Sequence, residues 1–352
     1  VRSWLLPAAL ALWPALATAQ DWATAEVCTV DPDLFDEAVF DPPGLAALEA
    51  EAAKTPNGTG RFWQVTAPNG AVSHLWGTWH SADPLILDLP AQAAEIIHDS
   101  RVVAVETNFI APDRDAWREA QYYEGRYLGP SDPFEFSGAD STGIAGLDDE
   151  ISGWIRERAI ELGWTEDVTL ILSPAGIAEM LLSDPCEDFA EGVLPIQDDY
   201  IQLLGRLAGA EVLSLEGPHD FLDFLNGDVA GTAEAITAVY AAYLEPQEDN
   251  AARSAQFRLY LEGRLGLLAA WDASFLERVL GKRGPVALRA TDAYLLTYRN
   301  ERFLEKLAPE WDAGGVFVAV GAGHLAGATG LVEMLRDQGF TVARLPLPGE
   351  TE

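Results

Sequence analysis

The apolar run VFVAV at 316–320, closed by GAGH at 321–324, constrains the fold more than any other stretch of the chain. Five apolar residues, three of them β-branched, are too short for a helix and read as a sheet strand. A sheet strand needs partners, and a matching run lies near the other end, AVSHLWGT at 71–78 followed by Trp79 and His80. Both runs place a histidine three positions after a glycine, Gly77 to His80 and Gly321 to His324, in a chain with only five histidines. The question the sequence poses is whether these are two turns or two halves of one site.

The segments between them are legible by period and punctuation. RFWQVTA (61–67), PNG (68–70) and AVSHLWGT (71–78) read as a β-hairpin about an Asn-Gly turn. Residues 88–99 have a helical pattern, and RVVAVETNF (101–109) is a short apolar strand carrying one acid, Glu106. From about 112 to 282 the pattern is mostly helical, interrupted by AEVLSLE (210–216), which follows the helix-like DDYIQLLGRLAG. After GAGH come a helix through LVEMLRDQG, with Gly339 suited to the left-handed position that ends it, and a last strand FTVARLPL (340–347). The expected fold is mixed α/β (α+β). A central mixed sheet of about five to seven strands is covered by helices, and a large mostly helical middle segment forms a cap or insertion over about 110–285. The arrangement requires 71–80 and 314–321 to share one sheet.

The N-terminal stretch is set apart. VRSWLLPAALALWPALATAQ has a basic start, an apolar run and Ala17-Thr18-Ala19, the pattern of a signal peptide spanning 1–19 and cleaved near Ala19. The reading that follows is an exported protein, periplasmic or alternatively secreted, with residues 20–352 as a single domain and no stable transmembrane anchor after cleavage. The two cysteines, Cys28 and Cys186, suit one long-range disulfide in an oxidising compartment or two buried thiols, and are too few for a zinc–thiolate cage. With 22 Lys and Arg against 56 Asp and Glu, the net charge of −34 argues against nucleic acid and disfavours an anionic membrane. The acids are scattered, as on a solvated surface.

Four polar groups attach to strand ends: His80, Glu106, Glu216 at the end of VLSLE, and His324. In open α/β sheets ligands bind outside the carboxyl ends of the strands. Each residue alone has a structural explanation, yet two imidazoles and two carboxylates in one kind of setting suit a divalent cation or acid–base work on a carbonyl. Gly77, Gly321 and Gly323 permit tight turns with exposed N–H groups. Arg299, in YRNERF (298–303), is either a surface arginine or an electrostatic partner for a substrate carboxylate or oxyanion. Asn300 would bond a neighbouring backbone group, and Asp83 would cap a loop. HExxH and GxSxG motifs are absent from the sequence.

At these residues the sequence resembles the TraB/PrgY/GumN proteins, a family related to the Tiki metalloproteases and more distantly to erythromycin esterases and ChaN-type haem-binding proteins. LWGTWH (75–80), VAVETNF (103–109), SLEGPHDFLDFL (214–225), YRNERF and GAGHLAGATGLVEMLRDQGFTV (321–342) carry the likeness over about 57–347. GPHDF stands where many members have a glutamine beyond the LE motif. The resemblance implies a metal-dependent hydrolase of a peptide or ester bond. His80, Glu106, Glu216 and His324 would hold manganese, cobalt or zinc, and Glu106 and Arg299 would serve catalysis. A metal-free version uses His80 as base, Glu106 to orient it, and His324 with Arg299 at the oxyanion. The alternative from another class is a non-catalytic envelope protein that binds a signalling peptide, haem or another small ligand in the same pocket.

Overall fold

A computed structural model describes residues 37–81, 83–108, 147, 149–161, 172, 174–182, 196–217, 220–227, 231–245 and 249–351. Residues 1–19, read from the sequence as a signal peptide, lie outside the described residues, as do both cysteines and His219. Among the described residues six strands form one sheet: β1 (Phe62–Thr66), β2 (Val72–Thr78), β3 (Val102–Val105), β4 (Glu211–Ser214), β5 (Val316–Gly321) and β6 (Thr341–Arg344). Their spatial order is β4-β3-β5-β2-β1-β6. β1 pairs antiparallel with β2 and with β6, while β2–β5, β5–β3 and β3–β4 are parallel, so the sheet is mixed as expected.

The placement of β5 follows from its composition. All six of its residues and all four of β3 are buried, the signature of central strands covered on both faces. Alternation divides them cleanly. Val103, Val105, Phe317 and Ala319 share one apolar cluster with Ile97 and Ile201, from the helices α1 (Ala91–Asp99) and α2 (Gln197–Ala208). Val102, Ala104, Val316, Val318 and Val320 pack on the other face with Phe303, Leu304 and Leu307 of α3 (Arg299–Ala313) and Leu331, Val332 and Leu335 of α4 (Leu331–Asp337). The result is helices on both sides of a sheet. Gly205 lets α2 lie close to β3, since a Cβ there would meet Val103 Cγ2 at 2.5 Å. Gly209 and Gly339 both have φ of 90°; Gly209 caps α2, and Gly339 stands two residues past the end of α4.

The middle of the chain is helical where it is described, with β4 as its one strand among the described residues. Ile151, Ile155, Met180, Val239, Trp271 and Phe275 build a separate apolar cluster there, and the partly buried Trp79 packs against both this cluster and the sheet core. From Leu265 to Ala313 successive helical elements abut, through Leu265–Leu280, Gly281–Arg283, Gly284–Asp292, a π-helical segment Ala293–Tyr298, and α3. No helix among the described residues is long and apolar enough to cross a membrane.

Candidate metal centre

Parallel pairing in register delivers the four strand ends to one edge. Thr78 pairs with Gly321, Val105 with Ala319 and with Ser214, so β2, β5, β3 and β4 finish side by side. The N–H of Glu216 donates to the carbonyl of Glu106 at 2.8 Å, extending the ladder to the residues that carry the carboxylates. The two histidines thus belong to one neighbourhood, as their matching settings suggested.

Glu106 is buried and fully engaged. Its Oε1 accepts the Gly321 N–H at 2.6 Å, and its Oε2 accepts Arg299 Nη2 at 2.6 Å. Burial alone would raise this carboxyl. The Arg299 guanidinium, aided by His324, His80 and the Gly321 N–H, holds it well below the usual carboxylate range. Glu216 is gripped by the same guanidinium: Nε lies 2.9 and 3.0 Å from its two oxygens and Nη2 lies 2.6 Å from Oε2. Burial works against the charged form of Arg299, yet Glu106 and Glu216 hold its pKa above the ordinary value. Arg299 therefore faces the protein's own carboxylates, where the sequence suggested a substrate carboxylate or an oxyanion.

His324 is oriented by the next residue of α3. Its Nδ1 lies 2.7 Å from Asn300 Oδ1, while Asn300 Nδ2 donates to the carbonyls of Thr329 at 2.8 Å and His324 at 3.3 Å. Because the amide nitrogen is committed to carbonyls, the amide oxygen must accept, so Nδ1 carries the proton and Nε2 presents a lone pair. That lone pair faces Glu106 Oε1 at 3.5 Å. Burial, with Arg299 and His80 adding to it against the pull of Glu106, pushes the His324 ring down to about 3, so the imidazole is neutral. Two electron-rich atoms face one another, which is donor chemistry suited to a cation.

His80 lies at the solvent side, its side chain 53% exposed. Its Nδ1 is 3.4 Å from Asp198 Oδ2 in the first turn of α2. Thr78 Oγ1 donates to Asp198 Oδ1 at 2.7 Å, but the buried Oδ2 receives no hydrogen bond. Burial raises the Asp198 carboxyl, and Glu106 raises it further against the pull of His80. An orphaned, buried carboxylate oxygen beside an imidazole and a second carboxylate is what a cation site requires. His80, Glu106 and Asp198 each offer a ligand atom lying within 4.8 Å of the other two. Gly321 forms the floor: a Cβ there would stand 3.2 Å from both Glu106 Oε1 and His80 Nε2, and 3.6 Å from His324 Cδ2.

The sequence model of the TraB/PrgY/gumN family matches residues 61–344. The chain belongs to the TraB/PrgY/gumN family. No curated protein and no solved structure matches it. In this TraB/PrgY/gumN protein the matched span contains both histidines, Glu106, Asp198, Glu216 and Arg299.

Against the sequence expectation the compact trio has Asp198 where Glu216 and His324 were placed. Glu216 is turned to Arg299, and His324 touches the trio through Glu106. Nothing local in the sequence marks Asp198, because paired acids at a helix start also suit the helix dipole. The signal that the sequence does carry is phase: Asp198 lies one turn before Ile201 and two before Gly205, on the buried stripe of α2. The remaining described histidines stand elsewhere. His74 is half-buried at mid-strand against Phe62, and His98 is exposed on α1. Asp83 caps a short helix by accepting from Leu85 N at 2.8 Å.

Proposed function

We propose that this TraB/PrgY/gumN protein is an exported, metal-dependent hydrolase acting on a peptide or ester bond, with its helical middle forming a cap beside the sheet. The observation that carries the reading is the His80–Glu106–Asp198 trio, buried on the carboxylate side and open at His80. His80, Glu106 and Asp198 would hold the ion, with the neutral Nε2 of His324 beside them as a further donor. Mixed nitrogen and oxygen ligands suit manganese, cobalt or zinc. A divalent ion bound there lowers the pKa of water and polarises a carbonyl. Arg299 keeps Glu106 ionised, and Glu216 fixes Arg299, since both Glu216 oxygens accept from that guanidinium. Asn300 holds His324 with its lone pair toward the site.

One observation favours a second reading: His80 Nδ1 beside the orphaned Asp198 Oδ2 is the geometry of an orienting carboxylate and a general base. In that version Asp198 takes the orienting role given to Glu106 from the sequence. Metal analysis of the untreated protein, then calorimetric titration of stripped protein with Mn²⁺, Co²⁺ and Zn²⁺, separates the two. The metal reading expects about one ion per chain, lost in His80→Ala and Asp198→Asn with the fold retained, and hydrolysis of a peptide or ester panel that a chelator stops. Hydrolysis that persists in chelator selects the His80–Asp198 base. Metal binding without hydrolysis favours a non-catalytic ligand-binding protein.

A further inference from the structure

Next to Asp198, at the first residue of α2, stands Gln197, a buried amide that no strand-end argument would single out. Its Oε1 accepts the Trp76 indole N–H and the Trp79 backbone N–H, both at 3.2 Å, and lies 2.9 Å from the Tyr260 hydroxyl. Its Nε2 donates to the carbonyl of Ile86. The same Tyr260 hydroxyl is 2.9 Å from the carbonyl of Gly77. One side chain thus grips β2 at Trp76, the turn at Trp79 immediately before His80, and the short helix Pro84–Leu87 just beyond it. No side chain caps α2, so the start of this helix is held by such lateral bonds.

The geometric consequence concerns the trio. Asp198 follows Gln197 directly, and His80 follows Trp79 directly, so the bond from Trp79 N–H to Gln197 Oε1 joins the backbones next to two of the three ligand groups. Thr78 Oγ1 also bonds Asp198 across this seam, and it fixes Oδ1, not the Oδ2 that faces His80. We infer that Gln197 is a positioning residue that sets the separation of His80 and Asp198, and through it the affinity of the metal centre. The inference rests on the metal reading above. Gln197 is one residue away from a ligand and its polar atoms are all turned to protein groups, so it acts through the ligands without touching the ion. Metal sites lose on the order of 10–100-fold in affinity when such outer partners are removed.

The test uses the full chain and Mn²⁺ as the probe, comparing calorimetric affinity with thermal melting of the stripped protein. Gln197→Leu keeps the volume and removes every bond. It is expected to bind Mn²⁺ at least tenfold more weakly. Gln197→Glu, which when protonated restores both the acceptor and the donor to Ile86, is expected to recover affinity to within about threefold of wild type. Unchanged affinity in a folded Gln197→Leu protein overturns the inference while leaving the metal site standing. Equal losses in Gln197→Leu and Gln197→Glu overturn it too. If Gln197→Leu fails to fold, Trp76→Phe and Tyr260→Phe, which each remove one bond to the same oxygen, decide: both matching wild type overturns the inference, and a graded loss supports it. Wild type that takes up no divalent ion defeats the metal reading itself and this inference with it.

Discussion

Gly321 is the residue on which the site is most sensitive to a single atom. A methyl group there must share space with Glu106 Oε1 and His80 Nε2 at 3.2 Å, where an ion would need those same lone pairs. Gly321→Ala is therefore expected to abolish Mn²⁺ binding in titration calorimetry while circular dichroism remains that of the wild type, because its φ of −48° suits alanine. Arg299 poses the opposite case, a residue needed by the fold as much as by the chemistry. Arg299→Ala leaves two buried carboxylates without their cation, a loss of about 3–5 kcal/mol by urea unfolding. Arg299→Lys should recover part of that and none of the bidentate geometry. His80, Glu106 and His324 were visible in the sequence because a strand followed by a glycine and a histidine, or a strand carrying an acid, is a local pattern. Asp198 and Gln197 were not, because their importance arises from which segments the fold presses against α2, and nothing within QDDY announces Trp79 or Ile86 as neighbours.

Among the elements, the π-helical segment Ala293–Tyr298 sets the phase of everything after it. Arg299 and Asn300 are consecutive, about 100° apart on the helix, and one reaches Glu106 and Glu216 while the other reaches His324. A π-helical turn holds an extra residue relative to an α-helical one and occurs often at functional sites. Inserting one alanine between Tyr298 and Arg299 is expected to turn Arg299 by about 100° and away from Glu106. The result to look for is loss of Mn²⁺ affinity together with a lower melting temperature; a variant equal to wild type in both would show that the segment positions nothing. All six sheet strands could be located from the sequence, since apolar runs and the Asn-Gly turn are short-range signals, but β3, β4 and β6 are shorter than the runs 101–109, 210–216 and 340–347 that contain them. The π-segment could not, because AYLLTY is ordinary helical sequence; in the fold its Leu296 lies close to Gly323 of the GAGH turn. A second element-level expectation concerns pH. Asp272, half-buried and bonded by the Tyr243 hydroxyl at 3.0 Å, is pushed up to about 7 by burial, with hydrogen bonds from Tyr243 and Gln256 opposing. The folded state holds this proton more tightly than the unfolded chain does. Its stabilisation is complete below about pH 4 and is lost as pH rises through about 7. The difference in unfolding free energy between wild type and Asp272→Asn should therefore decline from pH 4 to 7 and level off above it.

For the molecule as a whole, a net charge of −34 means mutual repulsion across the surface, while the sheet core and the helical cluster supply the cohesion. Raising NaCl from about 10 to 500 mM shortens the Debye length from roughly 30 Å to a few Å. The melting temperature is expected to rise by several degrees in scanning calorimetry over that range, and a flat response would mean the acids are already locally compensated. The mixed sheet with flanking helices was the part of the architecture that composition and period could supply; the contacts that bring the candidate trio together were not, because they join segments that never meet in sequence. The pairing of β2 with β5 carries a consequence in time. The Val316 N–H donates to Ser73 Oγ across 243 positions of chain, beside the His74–Phe317 pair, and Gly321 and His324 lie beyond Val316. A ribosome or translocation channel releases residues 80, 106 and 198 well before β5, so for much of its synthesis the chain holds the three candidate ligand residues beside an unfilled central slot in the sheet. Closing a loop of that length is slow compared with forming helices. An ion held by the trio would come from the compartment in which β5 folds, and that compartment's metal supply, more than the ligands' own preference, would set which ion it finds first.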